Sequence, residues 1–519
     1  MREASPMVFD ANVRLGRLAA SRGRFFDTAA ALVSTMDEFG IARSLVYTAL
    51  ARESDYVRGN SLLQEKIRGH SRLVPCWVAI PNRESPEHLI ERMEAQGVPA
   101  LRLFPSTGHF SLRPWCIGAL ARALSAARKV LLVDYEGPSW SADRTDWDGI
   151  YQLCMAVPEL RVVVCGVTMA GPANYQGFIR DCPNLHLEMS QFVCPGEVKR
   201  LVDEGLANRL IFGSDLPTRH AGAPLALVTM EDIEPASRQM ILHDNLANLL
   251  SPLEPAKGAP APVPLQRPRA IIDTHVHLGG WNYSFAATGR VEETIRDMDR
   301  CGITSVVATS LWSCFGEVSL GNENVADACK RFPDRVYGYL TLDPKHSGEV
   351  EKQIAQFKTH AGFRGIKLHG QTHEVDIADS QCTAILNFAD SRGMPVLVHQ
   401  TKVSPVPWEK ICKKYPRASF IVAHVGGCGP DDSEALGLAR LAAEIENLYF
   451  DIASTRNYFG FLEELIKLAG AEKILYGSDH PLMDFGFELG QVLFSRIKEE
   501  EKALILSGNA RRIFRLPEP

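Results

Sequence analysis

No uninterrupted apolar run in this chain is long enough to cross a bilayer, and the opening residues, Met1-Arg2-Glu3-Ala4-Ser5-Pro6, hold no apolar signal core. An excess of basic charge is also missing. The formal net charge of −6 leaves no electrostatic footprint for nucleic acid or an anionic membrane. Paired cysteines are absent too: twelve are scattered through 519 residues with no C-x-x-C spacing, which argues against a disulfide framework and for reduced thiols. Together these absences predict a cytoplasmic protein that binds neither nucleic acid nor membrane. What is present is ordinary globular composition, 45% hydrophobic and 23% charged, in a chain too long for one core. Two or more domains are therefore expected.

The clearest boundary is the proline-rich stretch 251–269, with Pro252, Pro255, Pro260, Pro262, Pro264 and Pro268. It has little to bury and reads as an extended linker. It separates residues 1–250 from residues 270–519, each about the ~250 residues of a closed (β/α)8 barrel. Apolar strand candidates in the later half are 270–277, 303–309, 336–342, 363–369, 395–399, 419–424, 448–453 and 473–478. Helical patterns such as 291–301, 380–392, 433–445 and 461–469 lie between them. Short apolar strands alternating with helices predict a parallel α/β barrel with right-handed crossovers. The earlier half follows the same plan, with candidates at 7–13, 41–48, 73–79, 100–104, 130–134, 161–166, 185–190 and 209–214.

The two halves also match locally. Asp10-Ala11-Asn12-Val13-Arg14 parallels Asp273-Thr274-His275-Val276-His277. Phe212-Gly213-Ser214-Asp215-Leu216-Pro217 parallels Tyr476-Gly477-Ser478-Asp479-His480-Pro481, and Asn245 parallels Asn509. The fold expected is two tandem TIM barrels produced by duplication.

In such a barrel, reactive side chains stand at the carboxyl ends of the strands. His275 and His277 share one face of strand 1, because alternate strand residues point the same way. Lys367 and His369 likewise share a face at strand 4. His399 ends strand 5, His424 ends strand 6, and Asp479 lies just past strand 8. Five imidazoles and a carboxylate at one level suit a metal ion with an open coordination position better than they suit packing. Trp281 and Tyr283, Trp312, His373, Lys402, and Arg456 with Asn457 follow other strands of the same half and are candidates for substrate contact.

His275-x-His277, the histidines ending strands 5 and 6, and Gly477-Ser478-Asp479-His480-Pro481 resemble the amidohydrolase superfamily, nearest its amidohydrolase-2 branch of decarboxylases and lactonases. The resemblance implies that His275, His277, His399 and Asp479 hold one divalent metal, zinc, with manganese as the alternative. It implies that His424 sits beside the metal, either ligating a second ion or acting in acid–base work and substrate polarisation, and that Asp479 also takes the proton from the attacking water. Lys367 is a plain lysine pairing with a substrate carboxylate, a carbamylated bridge to a second metal, or a lysine tucked against an acidic side chain. Trp281, His369 and Arg456 complete the expected substrate contacts.

Three functions compete. The preferred one is hydrolysis of an amide, lactone or ester of a small carboxylate-bearing substrate by metal-activated water. The second is non-oxidative decarboxylation of an unsaturated or aromatic acid. The third is a non-catalytic scaffold, with a homo-oligomer as a further arrangement. A cationic clamp and a dry apolar wall would mark the decarboxylase, and water access with a proton route the hydrolase.

The earlier half carries Asn12, Arg14, Arg102, Phe104, Asp134 and Gly166 at the corresponding positions, and only Asp215 survives. A guanidinium cannot ligate a metal and repels one. No catalytic metal is expected there. Arg14, Arg102, Asp134 and Asp215 are expected to form a salt-bridged cluster, and the half to serve a structural role. A pocket for a small anion on Arg14 and Arg102 is the sharper alternative.

Overall fold

The structure, a computed structural model, describes residues 7–19, 24–135, 144–261, 263–265, 268–282, 289–357, 360–399, 407–426, 432–453 and 458–518. It falls into two compact units, one formed mainly by residues 1–265 and one mainly by 266–519. Residues 251–261 form no helix or strand. They are not a free tether, because the Ser71 hydroxyl accepts from the Lys257 amide at 3.1 Å and Arg72 donates to the Gly258 carbonyl at 3.3 Å. Tyr283, Lys402, Arg456 and Asn457 lie outside the described residues. No helix of the described residues is long and apolar enough to cross a membrane.

The first unit is built on eight parallel strands in sequential order: β1 (Phe9–Leu15), β2 (Arg43–Thr48), β3 (Leu73–Val78), β4 (Ala100–Leu103), β5 (Val130–Asp134), β6 (Arg161–Cys165), β7 (Leu185–Glu188) and β8 (Leu210–Ile211). The second repeats the order with β9 (Ile272–Leu278), β10 (Ser305–Ser310), β11 (Val336–Thr341), β12 (Phe363–His369), β13 (Pro395–His399), β14 (Ser419–Val422), β15 (Leu448–Asp451) and β16 (Ile474–Leu475). Each ring closes where its last segment meets its first. The Ala11 amide donates to the Phe212 carbonyl and Arg14 to Leu216, and Thr274 donates to Tyr476 and His277 to His480. The chain is therefore two tandem TIM barrels.

The strands are valine- and leucine-rich because both of their faces are buried. The connecting helices are amphipathic. In the helix Val291–Cys301, Val291, Thr294, Met298 and Cys301 are buried and Glu292, Arg296 and Asp299 face out, and Gly302 ends it at φ 76°. The last helix of each half packs into its barrel's apolar cluster: Leu246 and Leu250 join Phe9, Leu132 and Ile211, while Ile513 and Phe514 join Ile272, Leu397 and Ile421.

Strand register then positions the later mouth. Thr309 pairs with His277, Thr341 with Lys367, and His369 with His399. Several expected strands end early, and two of them leave candidate site residues beyond their ends. His424 lies beyond β14, at φ 55°, followed by Val425 at φ 51°. Its amide is taken by the Asp451 carboxylate at 2.8 Å, which draws the chain out of the ladder. Asp479 stands beyond the short β16 at φ 67°. Left-handed backbone at non-glycine residues costs roughly 1–3 kcal/mol each and persists where surrounding bonds enforce it.

Candidate active site

His275 is buried in the middle of β9 with both ring nitrogens engaged. Nδ1 lies 2.8 Å from Asp451 Oδ2, while Nε2 lies 3.2 Å from Lys367 Nζ and 3.5 Å from Asp479 Oδ1. An ionised carboxylate only accepts, so the Asp451 contact fixes the proton on Nδ1 and leaves the Nε2 lone pair facing the mouth. His277 is held the same way. Its Nδ1 meets the Thr309 hydroxyl at 2.8 Å and its Nε2 reaches Asp479 Oδ1 at 3.0 Å. His275, His277 and Asp479 each offer a ligand atom, all within 4.8 Å of one another. Two Nε2 atoms converging on one carboxylate oxygen, each backed by an oxygen at Nδ1, fit a divalent cation.

Glycine is required at Gly477 in the Gly477-Ser478-Asp479 turn. A Cβ there would stand 2.8 Å from the Cβ of His275. Below the site, Asp273 Oδ1 accepts from the amides of His275 at 2.9 Å and Ser478 at 3.2 Å, tying the first strand to the last.

His424 donates from Nδ1 to the Ala453 carbonyl, and its Nε2 has no hydrogen-bond partner among the described residues. Its ring centroid is 4.7 Å from that of His275 and 4.8 Å from that of His399. The His399 ring centroid is 4.3 Å from that of His369, with the planes tilted by 33°, and His399 lies outside the group that converges on Asp479, because the β12–β13 register sets it beside His369. A second group, His275, His424 and Asp451, also meets the 4.8 Å condition. Asp451 was missed in the sequence. Its signal was an acidic residue ending an apolar strand, Leu448-Tyr449-Phe450-Asp451.

Burial raises the Asp451 carboxyl and lowers the Lys367 ammonium, the latter against the attraction of nearby acidic groups. Burial alone would lower His277, but its hydrogen bond to Asp479 raises it to about 9. Burial alone would raise Asp479, yet His277, His424 and His275 hold it down at about 2.

The substrate candidates separate. Trp281 stacks on Phe315 with ring centroids 5.0 Å apart and planes 15° apart, and Phe315 lies 5.9 Å from His369. Trp312 is 39% exposed in the short helix after β10. His373 is buried, with Nε2 3.3 Å from the Ser313 carbonyl, and serves that contact.

The first barrel keeps the wiring and replaces the ligands. Glu188 stands where Asp451 stands. It accepts from the Gly166 amide at 2.9 Å as Asp451 does from His424, and from the Ser190 amide at 2.8 Å as Asp451 does from Ala453. Asn12, in the place of His275, donates to Glu188 at 3.3 Å. Arg102 pairs with Asp134 and donates to Asn12 Oδ1 at 2.8 Å. The expected four-membered ion cluster is corrected in part. Asp215 faces Arg219 at 3.6 Å, and Arg14 donates to the Thr218 hydroxyl at 2.9 Å with no carboxylate within 4.0 Å among the described residues. The reason is reach, since Thr218 and Arg219 on the turn after Asp215 intercept both groups.

Residues 272–516 match the sequence model of the amidohydrolase family, Amidohydro_2. A search of curated proteins finds no match. Among solved structures, the chain is similar to a 5-carboxyvanillate decarboxylase from Sphingomonas paucimobilis (14% identity, 48% of this chain and 100% of the other, TM-score 0.39). It is also similar to a putative amidohydrolase from Staphylococcus aureus (15% identity, 48% and 100%, TM-score 0.38). A third is a dihydroxybenzoic acid decarboxylase from Polaromonas with bound manganese and an inhibitor (16% identity, 48% and 98%, TM-score 0.37). The second barrel of this tandem duplicate is thus similar over residues 272–516 to the amidohydrolase family, and the chain is a metal-dependent enzyme.

Proposed function

We propose that the second barrel catalyses the metal-dependent, non-oxidative decarboxylation of a small planar unsaturated or aromatic acid. The observation that supports it best is the aromatic surface running from Trp281 through Phe315 to His369 and His399, with the buried Lys367 ammonium at its inner end. A planar ring laid on that surface is shielded from water, and its anionic oxygens face Lys367 and the metal.

His275, His277 and Asp479 are the proposed ligands, with His399 as the fourth. A bound divalent cation, zinc or manganese, supplies Lewis-acid charge for anionic substrate oxygens. Lys367 holds a substrate oxygen by charge. Asp479, kept ionised by its histidines, takes a proton from a substrate hydroxyl or from water, and His424 lies beside it to share that proton. Delivery of one proton to the carboxylated carbon lets the carbon–carbon bond break. Its electron pair stays on that carbon and carbon dioxide leaves. The product is the substrate with hydrogen in place of carboxylate.

Hydrolysis of an amide, lactone or ester is the second reading. The same Asp479 carboxylate serves it as a base for attacking water, and the description of the matched family favours it. A panel of hydroxylated benzoates, unsaturated carboxylic acids, lactones and amides, offered to metal-loaded protein, separates the two. Release of carbon dioxide from an acid is expected, and cleavage of a lactone or amide with no decarboxylation of any acid would overturn it.

A further inference from the structure

His369 ends β12, and its two ring nitrogens are treated differently. Nδ1 lies 2.7 Å from the Thr372 hydroxyl, while Nε2 has no hydrogen-bond partner among the described residues. The residue is only 6% exposed. The same Thr372 hydroxyl lies 2.6 Å from the Cys314 carbonyl oxygen. An oxygen–oxygen separation that short needs a hydrogen between the two atoms, and a carbonyl has none to give. The single hydroxyl proton of Thr372 is therefore committed to Cys314. What Thr372 offers His369 is a lone pair, so Nδ1 must be the donor. An uncharged imidazole carries one N–H, and Nε2 is left as a bare acceptor. Charging the ring is opposed by its burial and by the Lys367 ammonium on the same face of the strand.

Two short helices build this wiring. Cys314 lies in Leu311–Phe315, after β10, and Thr372 in Gly370–His373, after β12. The carbonyls that end the first helix have no partner within it, and side chains of the second take them: Thr372 meets Cys314, and His373 Nε2 meets Ser313 at 3.3 Å. The next residue, Phe315, stacks on Trp281. The element that forms the aromatic wall thus also sets which nitrogen of His369 carries the proton. A nearly buried acceptor with no donor is unfavourable until a ligand brings one. A lone pair there repels carboxylate oxygens and accepts from a hydroxyl or amino group.

We infer that His369 is a specificity-determining residue whose Nε2 accepts a hydrogen bond from a neutral donor on the substrate, a hydroxyl or amino group, and that Thr372 is the positioning residue that makes it an acceptor. The inference rests on the reading that this mouth takes a small planar acid. It adds that the acid carries a donor apart from the oxygens held by Lys367 and the metal, and that a methyl cap on that donor removes the contact. The first barrel has Phe104 at the matching position, a ring with no acceptor, so this contact belongs to the second mouth alone.

The test reads tautomer and binding, not turnover. In the zinc-loaded full-length chain with isotope-labelled histidine, two-bond proton–nitrogen NMR distinguishes the ring tautomers. The His369 signal, identified by its loss in His369→Phe, is expected to show the proton on Nδ1 and a bare Nε2. Thr372→Ser should keep that pattern, and Thr372→Val should shift it toward the Nε2–H form. A proton on Nε2 in the parent overturns the proposal. Calorimetry then compares ortho-, meta- and para-hydroxybenzoate with their methyl ethers. At least one isomer is expected to bind the parent roughly tenfold or more tightly as the phenol than as the ether. That ratio should fall to near one in His369→Phe and Thr372→Val and return in Thr372→Ser, and comparing ratios cancels any preference the metal has for a phenol. A ratio near one in the parent for every isomer overturns the proposal, as does a ratio that His369→Phe leaves unchanged or failure of every hydroxybenzoate to bind. Phenols that bind with the expected ratio and release no carbon dioxide uphold it and remove only the decarboxylase reading. Phe104 shows that a barrel of this chain folds with phenylalanine at this place. Should His369→Phe nevertheless fail to fold, Thr372→Val against Thr372→Ser still decides.

Discussion

Two barrels of one chain share a skeleton of hydrogen bonds and differ in what hangs from it. Asp10 and Asp273 each clasp the amides of the first strand and of the Gly-Ser-Asp turn. Glu188 and Asp451 each capture the amide that follows strand 6. The side chains facing the opening then diverge: two imidazoles in one barrel, a carboxamide and a guanidinium in the other. The buried acids that brace the barrel are thus separable from the groups that do chemistry. A duplicate can lose its ligands and keep its fold, because no bracing acid needs the metal.

The largest break between the barrels is expected at the ligands. His275→Ala or Asp479→Ala should lower turnover by roughly 10²–10³-fold or more and release the metal, whereas Asp215→Ala should change neither. Steady-state rates with metal analysis of each purified variant check this. A comparable loss in Asp215→Ala would show that the first mouth takes part in catalysis.

A sharper cut falls one layer deeper. Asp451→Asn keeps the shape but weakens the charge that orients His275, and metal affinity should drop roughly 10–100-fold. Glu188→Gln, its counterpart, should leave metal content alone and cost only about 1–3 kcal/mol of stability through mismatched buried amides. Competition with a chelator measures the first effect, and denaturant unfolding the second. Equal metal loss in both variants would erase the distinction between brace and ligand support.

The barrels should also part with pH once metal is stripped. His277 is raised from 6.5 to about 9 by its contact with Asp479, although burial opposes this. A raised histidine stabilises fully below its unfolded value and less as pH climbs through the folded one. Metal-free protein should therefore lose stability from pH 6.5 to 9. Asp479 is lowered from 3.8 to about 2, so its contribution holds above 3.8 and disappears as pH falls through 2. Arg102 in the first barrel stays charged throughout and adds no slope above neutrality. Melting profiles of stripped protein test this, with His277→Gln expected to flatten the alkaline limb. Metal must displace the His277 proton, so affinity for metal should rise over the same range.

Most of this architecture was legible in the chain. Sixteen strands could be marked because parallel barrel strands are short, apolar and separated by amphipathic helices. The duplication showed because Asp10 and Asp273, with Ser214 and Ser478, repeat at matched places. Asp451 was overlooked because one acid at a strand end looks like solvated punctuation until the fold brings it under His275 and His424. His424 was read as a strand residue because nothing local announces a left-handed turn enforced by a carboxylate 27 residues away. The placing of Arg14 beyond ion-pair distance of Asp215 was equally out of reach. Its expected partner, Asp215, is drawn to Arg219, and that is decided by the turn between them and not by composition.

The last comparison predicts no difference at all. Asn245 Nδ2 donates to the carbonyls of Ala207 and Leu210 at 2.9 and 2.8 Å, and Asn509 Nδ2 to those of Ala471 and Ile474 at 2.8 and 2.7 Å. Each carboxamide ties a barrel's final helix to the entry of its final strand, remote from the mouth, and both are buried. Removing either strands two buried carbonyls, at about 1–3 kcal/mol for each group left unsatisfied. Asn245→Ala and Asn509→Ala should therefore destabilise by similar amounts in denaturant titrations and leave KM unchanged at temperatures where both remain folded. If Asn509→Ala instead changed KM without lowering stability, the bracing framework of the second barrel would be coupled to its mouth. The separation of frame from chemistry drawn from the two barrels would then hold only for the one that has lost its ligands.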